Sequence, residues 1–177
     1  DLDLYVVSGS YEFPAGDQNY KDHLFINDGK GHFQSADQAI PALIKSGSCI
    51  KAVDYDRDGD LDLFVGSGGN EVSEGTNDLL DRLYLNDGKG KFTYSSGAIP
   101  MNTLNTSVVL PLDYDADGDI DLFVGSRSVP MQYGLNPNSF SKKNANSWVI
   151  CVPSATKFQS RNTILPVLEL SHLRRFS

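Results

Sequence analysis

Short apolar runs rich in β-branched and aromatic residues alternate along the chain with clusters of Asp, Asn and Gly. Cys49-Ile-Lys-Ala-Val53, Leu61-Asp-Leu-Phe-Val65, Leu83-Tyr-Leu85 and Phe92-Thr-Tyr94 have the length and residue types of strands on a pleated surface. Between the third and fourth stands Asn86-Asp-Gly-Lys-Gly90, whose Asn, Asp and Gly residues accept the positive φ angles of a tight hairpin. A phosphate-cradling role for this Gly-Lys-Gly would need a following helix and a different spacing, so a turn is the better reading.

The pattern then returns. Asp54-Tyr-Asp-Arg-Asp-Gly-Asp-Leu-Asp-Leu-Phe-Val-Gly-Ser67 recurs as Asp113-Tyr-Asp-Ala-Asp-Gly-Asp-Ile-Asp-Leu-Phe-Val-Gly-Ser126, identical at 12 of 14 positions and displaced by 59 residues. His23-Leu-Phe-Ile-Asn-Asp-Gly-Lys-Gly-His-Phe33 recurs as Arg82-Leu-Tyr-Leu-Asn-Asp-Gly-Lys-Gly-Lys-Phe92, and Ile40-Pro41 as Ile99-Pro100, at the same offset. Four antiparallel strands at a fixed spacing predict an all-β chain, a stretch of β-propeller built from four-stranded blades with a 59-residue period. Common propeller repeats run to about 40–50 residues. The excess here lies mainly in the loop 68–81. The opening Asp1-Leu-Asp-Leu-Tyr5 matches Asp60-Leu-Asp-Leu-Phe64, so the chain is expected to start inside an acidic loop, as a piece of something longer. The expected organisation is a partial blade over 1–46, a complete blade over 47–105, the start of another over 106–140, and a divergent tail over 141–177.

Charge sharpens that last boundary. Residues 1–140 carry nine Lys/Arg against 22 Asp/Glu, whereas 141–177 carry six against one. The hairpin due at 145–149 reads Ala145-Asn-Ser-Trp-Val149 instead. The tail therefore reads as the start of another domain or, preferably, as a non-native continuation such as a shifted reading frame, with a short helix over Leu165–Phe176. An acidic body without a basic stripe excludes nucleic acid as a partner. Of the two cysteines, Cys49 and Cys151, the first sits in a strand pattern and reads as an inert buried thiol rather than half of a disulfide. No run of 18 apolar residues occurs to span a membrane.

The acidic loops carry the chemistry. Asp54, Asp56, Asp58, Asp60 and Asp62 alternate through nine residues, with Gly59 at the sixth position. Like charges about 5 Å apart cost roughly 0.8 kcal/mol per pair in water, and more where solvent is excluded. A solvated acidic turn leaves that repulsion uncompensated twice over. Alternating carboxylates, a main-chain oxygen at position seven and a glycine for the sharp turn suit Ca2+, which takes six to eight hard oxygens. The expected ligands are the side chains of Asp54, Asp56, Asp58 and Asp62 with the main-chain oxygen of Asp60. Asp113, Asp115, Asp117 and Asp121 with the main-chain oxygen of Asp119 repeat them. An EF-hand would need a Glu at position 12 and flanking helices. Val65 and Val124 stand there, inside strand-like runs.

Asp-x-Asp-x-Asp-Gly-x-x-Asp followed by Leu-Phe-Val-Gly resembles the FG-GAP/VCBS repeats of integrin α-subunit propellers. The Asn-Asp-Gly-Lys-Gly-x-Phe hairpin is similar to that of bacterial VCBS-type proteins and relatives of cartilage acidic protein. The resemblance covers residues 1–140. It implies a seven- or eight-bladed, calcium-stabilised propeller in an extracellular, cell-surface or periplasmic setting, used in adhesion or surface binding.

If the acidic loop joins the first two strands at one rim, the loops 10–22, 68–81 and 127–138 lie at the opposite rim. Their aromatics Tyr11, Phe13, Tyr20 and Tyr133 either anchor the loops or stack on a glycan or protein ligand, and anchoring is the commoner role. No catalytic residue is expected. The histidines His23, His32 and His172 are scattered, and His23 and His32 occupy positions held by Arg82 and Lys91 in the next repeat, which suggests exposed polar roles. The favoured function is a calcium-binding interaction or adhesion scaffold. The alternative is a non-catalytic propeller module of a larger secreted enzyme, such as a polysaccharide-degrading one.

Overall fold

All four strands anticipated for residues 47–105 form, and they make one sheet. The computed structural model describes residues 1–10, 12–69, 73, 75–99, 105–114, 116, 118, 120–131, 157–160 and 163–166. In chain order the strands are β1 (Leu4–Val6), β2 (His23–Asn27), β3 (Phe33–Ser35), β4 (Gly47–Val53), β5 (Asp62–Ser67), β6 (Arg82–Asn86), β7 (Phe92–Tyr94), β8 (Asn105–Leu112), β9 (Asp121–Ser128), β10 (Lys157–Ser160) and β11 (Thr163–Pro166). The helical elements among the described residues are three single 3-10 turns, at Gln18–Tyr20, Asp37–Ala39 and Asn77–Leu79.

Sheets form in the orders β1-β2-β3, β4-β5-β6-β7, β8-β9 and β10-β11, with every pairing antiparallel. The chain is thus all-β, in antiparallel sheets of two to four strands. The hairpins at Asn27 and Asn86 turn as expected, with φ of 74° and 89° at Gly29 and Gly31 and of 70° and 79° at Gly88 and Gly90. Asp87 Oδ1 accepts the main-chain N–H groups of Lys89 and Lys91, and Asp28 Oδ1 accepts those of Lys30 and His32, so each turn is closed by its own aspartate.

The β1–β3, β4–β7 and β8–β9 sheets pack on one another in that order, and period-two alternation decides which side chains meet. Leu63, Val65 and Tyr84 point to one side, where Tyr5 of β1 and Val7, just past the end of that strand, pack on them. Phe64 points to the other side, against Val109, Leu122 and Val124 of the following sheet. Full burial of a phenylalanine contributes about 1.5–3 kcal/mol, so the Leu-Phe-Val run supplies core to both contacts at once. Val7 sits over Gly47, where an added Cβ would collide with its Cγ1. In the next contact the sizes are exchanged: a Cβ on Gly66 would lie 2.6 Å from Thr106 Cγ2.

Two expectations need correction. Leu165 and Pro166 do not begin a helix but end β11, paired with β10; Pro166 disfavours α geometry at the residue before it and has no N–H to give a helix. The remainder of that expected helix, the Ala145–Val149 segment and Cys151 lie outside the described residues. The position shared by His23 and Arg82 is not uniformly exposed either. Arg82 is fully buried, and its Nη1 donates to Asp22 Oδ2 at 3.1 Å across the contact between two sheets. His23 is partly exposed, with Nδ1 2.8 Å from Asp37 Oδ2.

Candidate metal centre

The acidic loop connects β4 to β5, and local rules shape it. Position four lies in the left-handed region in both copies, at Arg57 (φ 66°) and Ala116 (φ 57°), and so does position six, at Gly59 (95°) and Gly118 (87°). Gly59 N–H donates to Asp54 Oδ2 at 3.2 Å, and Gly118 N–H donates to Asp113 Oδ2 at 3.0 Å. Asp56 Oδ1 and Asp58 Oδ1 accept the N–H groups of Asp58 and Asp60, winding the loop inward. Ligand atoms of Asp54, Asp56 and Asp58 consequently lie within 4.8 Å of one another.

That group fits a hard divalent cation. Oxygens bound at about 2.4 Å to a common ion lie no more than about 4.8 Å apart. Asp54 Oδ1 is buried and has no hydrogen-bond partner, a position that costs free energy unless a charge or donor compensates it. Asp56 titrates above the usual carboxylate range, through desolvation first and then through the charges of Asp62, Asp58 and Asp54. All three donors are carboxylate oxygens, as Ca2+ prefers.

The other expected ligands among the described residues also have partners within the protein. Asp62 is fully buried; its Oδ2 accepts the Tyr55 N–H at 2.9 Å and its Oδ1 the Asn86 N–H at 2.8 Å. It ties the start of the loop to the end of β6. Asn86 Nδ2 completes the tie by donating to the Leu61 carbonyl at 3.2 Å. The Asp60 carboxylate lies against Gly88 of the β6–β7 hairpin, in space that a Cβ there would claim. In the second loop, Asp121 Oδ2 accepts the Tyr114 N–H at 2.9 Å, as Asp62 does from Tyr55. Asp115, Asp117 and Asp119 lie outside the described residues. At the chain start, Asn27 N–H donates to Asp3 Oδ1 at 3.0 Å and Asn27 Nδ2 to the Leu2 carbonyl at 3.1 Å, repeating the Asp62–Asn86 and Leu61–Asn86 bonds.

At the opposite end of the sheet, Tyr20 anchors its loop. It is buried, donates its hydroxyl to the Phe13 carbonyl at 2.6 Å and accepts the Phe13 N–H at 3.1 Å, with the Phe13 ring edge-on at 6.1 Å. Phe13 keeps an exposed face; Tyr11 and Tyr133 lie outside the described residues. Cys49 is a free, half-buried thiol, pushed to a higher pKa by burial and then by Asp81. No helix among the described residues is long and apolar enough to cross a membrane.

Sequence reasoning missed the buried Asp22–Arg82 pair. Its one signal is an arginine leading an apolar strand, directly after an aspartate, in Asp81-Arg82-Leu-Tyr-Leu85.

Residues 1–65 match the family of FG-GAP-like repeats, a span that ends within β5 and includes the whole first acidic loop. No curated protein and no solved structure matches the chain.

Proposed function

From a chain whose residues 1–65 belong to the FG-GAP-like repeats, we propose a calcium-holding stretch of β-propeller that serves as a non-catalytic interaction or adhesion scaffold outside the cell, at its surface or in the periplasm. In this reading 47–105 is a complete blade, 1–46 and 106–140 are parts of its neighbours, and 141–177 is a divergent tail. The observation that carries it is the convergence of Asp54, Asp56 and Asp58, with the unpartnered, buried Oδ1 of Asp54, at a loop hydrogen-bonded to the next hairpin.

Those three side chains would hold Ca2+ together with the Asp60 main-chain oxygen and Asp62. Asp113, Asp115, Asp117, the Asp119 main-chain oxygen and Asp121 would hold a second. When bound, the ion supplies positive charge that cancels repulsion in the loop and so favours the folded connection. Asp62 and Asn86 then carry that order from β5 into β6 and its hairpin. The loops at the far rim, with Phe13 at their surface, form the face offered to a protein or glycan ligand.

The test is calcium titration by calorimetry, with thermal unfolding in calcium and in chelator, on the wild type and on Asp58→Asn/Asp117→Asn. Asparagine at position 58 keeps an oxygen for the Asp60 N–H and removes the charge. Two sites with a calcium-dependent rise in Tm, both lost in the variant, support the reading. A folded wild type that binds nothing at about 1 mM calcium, the weak end of extracellular affinities, overturns it.

A further inference from the structure

The two acidic loops lie side by side, and one side chain crosses between them. Tyr55, at position two of the first loop, and Ile120, at position eight of the second, pack on the same core cluster of Phe64, Val109, Leu122 and Val124. From position four of the first loop, where the backbone is left-handed at φ 66°, Arg57 reaches towards the second. Its Nη2 stands 3.7 Å from the point that a Cβ on Gly118 would occupy. Gly118 is position six of the second loop, and its N–H donates to Asp113 Oδ2 at 3.0 Å. Neither nine-residue loop holds another Lys or Arg, and the second has Ala116 where the first has Arg57. The second loop brings Asp113, Asp115, Asp117, Asp119 and Asp121 and no cation of its own. The guanidinium thus belongs to the first loop by sequence and stands beside the second by position.

We propose that Arg57 is the built-in counter-charge of the following acidic loop: it offsets carboxylate repulsion there when calcium is scarce and opposes calcium entry when calcium is present. Both effects come from one charge. A guanidinium within the screening length, about 10 Å at 0.1 M salt, attracts the carboxylates of the loop and repels a divalent ion among them. The second loop is therefore set to fill at a higher calcium concentration than its carboxylates alone would require. The counter-charge stands on geometry and charge; its effect on calcium rests on the calcium reading proposed above.

The test uses the full chain with Arg57→Gln, which removes the charge and keeps most of the length, and with Arg57→Lys, which keeps the charge. Arg57 is exposed, so neither substitution disturbs the core. In chelator, urea unfolding of Arg57→Gln should show an unfolding constant raised about 2–5-fold, the range of exposed ion pairs. That rise should fall by roughly half or more in an Asp113→Asn/Asp117→Asn background, which takes two charges from the second loop. It should fall likewise at about 1 M salt, where the screening length is about 3 Å. If that background does not fold, Asp117→Asn alone replaces it. Calcium titration in an Asp58→Asn background, which silences the first loop, reads the second: Arg57→Gln should lower its dissociation constant at least about 3-fold. Arg57→Lys should leave both readouts near those of the wild type. An unfolding constant that Arg57→Gln leaves unchanged, an undiminished rise in the discharged background, or an unchanged calcium dissociation constant would each overturn the proposal. A folded wild type that binds no calcium overturns the calcium reading and the second effect with it, and the chelator series then decides the counter-charge by itself.

Discussion

Arg82 Nη1 lies 3.1 Å from Asp22 Oδ2, with both side chains out of solvent, and so bolts the first three-stranded sheet to the four-stranded one. Asp22 also accepts the Tyr5 hydroxyl at 3.0 Å and the Ser8 N–H at 3.1 Å. The Tyr5 hydroxyl is in turn held protonated by burial and by the charge of Asp22. Removing one partner of a buried pair strands the other charge, at about 3–5 kcal/mol. Asp22→Ala is expected to cost that much in urea unfolding. Arg82→Met should cost less, because the carboxylate keeps two other donors and the methionine fills part of the space. Equal losses in the two variants would show that Tyr5 and Ser8 do not support the carboxylate.

Asp62 joins the start of the acidic loop to the end of β6 through both of its carboxylate oxygens. Asp62→Ala leaves the N–H groups of Tyr55 and Asn86 without acceptors. At about 1–3 kcal/mol for each donor left unpaired, the variant should lose roughly 2–6 kcal/mol even in chelator. Asp56→Ala, at an exposed position, should be close to neutral under the same conditions. Chelator-state denaturation of the two variants separates structural from metal-dependent roles within one loop.

Arg57 and Ala116 hold left-handed backbone at the same loop position. Each non-glycine residue there costs about 1–2 kcal/mol, and a glycine gives back part of the gain through its freer unfolded chain. Ala116→Gly is expected to raise stability by about 0.5–1 kcal/mol, read as a shift in denaturation midpoint at unchanged m-value. Gly118→Ala, two residues on at φ 87°, should do the reverse.

Asp37 titrates down to about 2, chiefly through its hydrogen bond with His23, with the Leu24 N–H and Lys21 assisting. A depressed carboxylate stabilises the fold above its unfolded pKa of 3.8, and that contribution is lost as pH falls towards 2. Stability should therefore decline across that window, and Asp37→Asn should flatten the decline. Carboxyl-carbon NMR of Asp37 gives the direct reading; a midpoint near 3.8 would contradict the hydrogen-bonded geometry.

Elements governed by neighbours in sequence were legible. Phe92–Tyr94 is a strand over the expected residues, and the Asn86–Gly90 hairpin turns at its glycines. The convergence of Asp54, Asp56 and Asp58 follows from alternation around Gly59, a rule a few residues long. β4 begins two residues before the expected Cys49 because Gly47 pairs with Ser67 across the sheet, which no local pattern announces.

The sequence alone determined strand order, turn chemistry and the density of carboxylates in each loop, because these depend on backbone preference and on charge spacing along the chain. Tertiary structure alone decided that Asp62 would spend its oxygens on Tyr55 and Asn86, that Arg82 would go inside while His23 stayed partly exposed, and that Val7 would fill the space over Gly47 as Thr106 fills that over Gly66. Each of those outcomes joins residues far apart in the chain, and it is settled by which sheet face meets which. Volume and buried charge have to balance there between partners that no local window contains together.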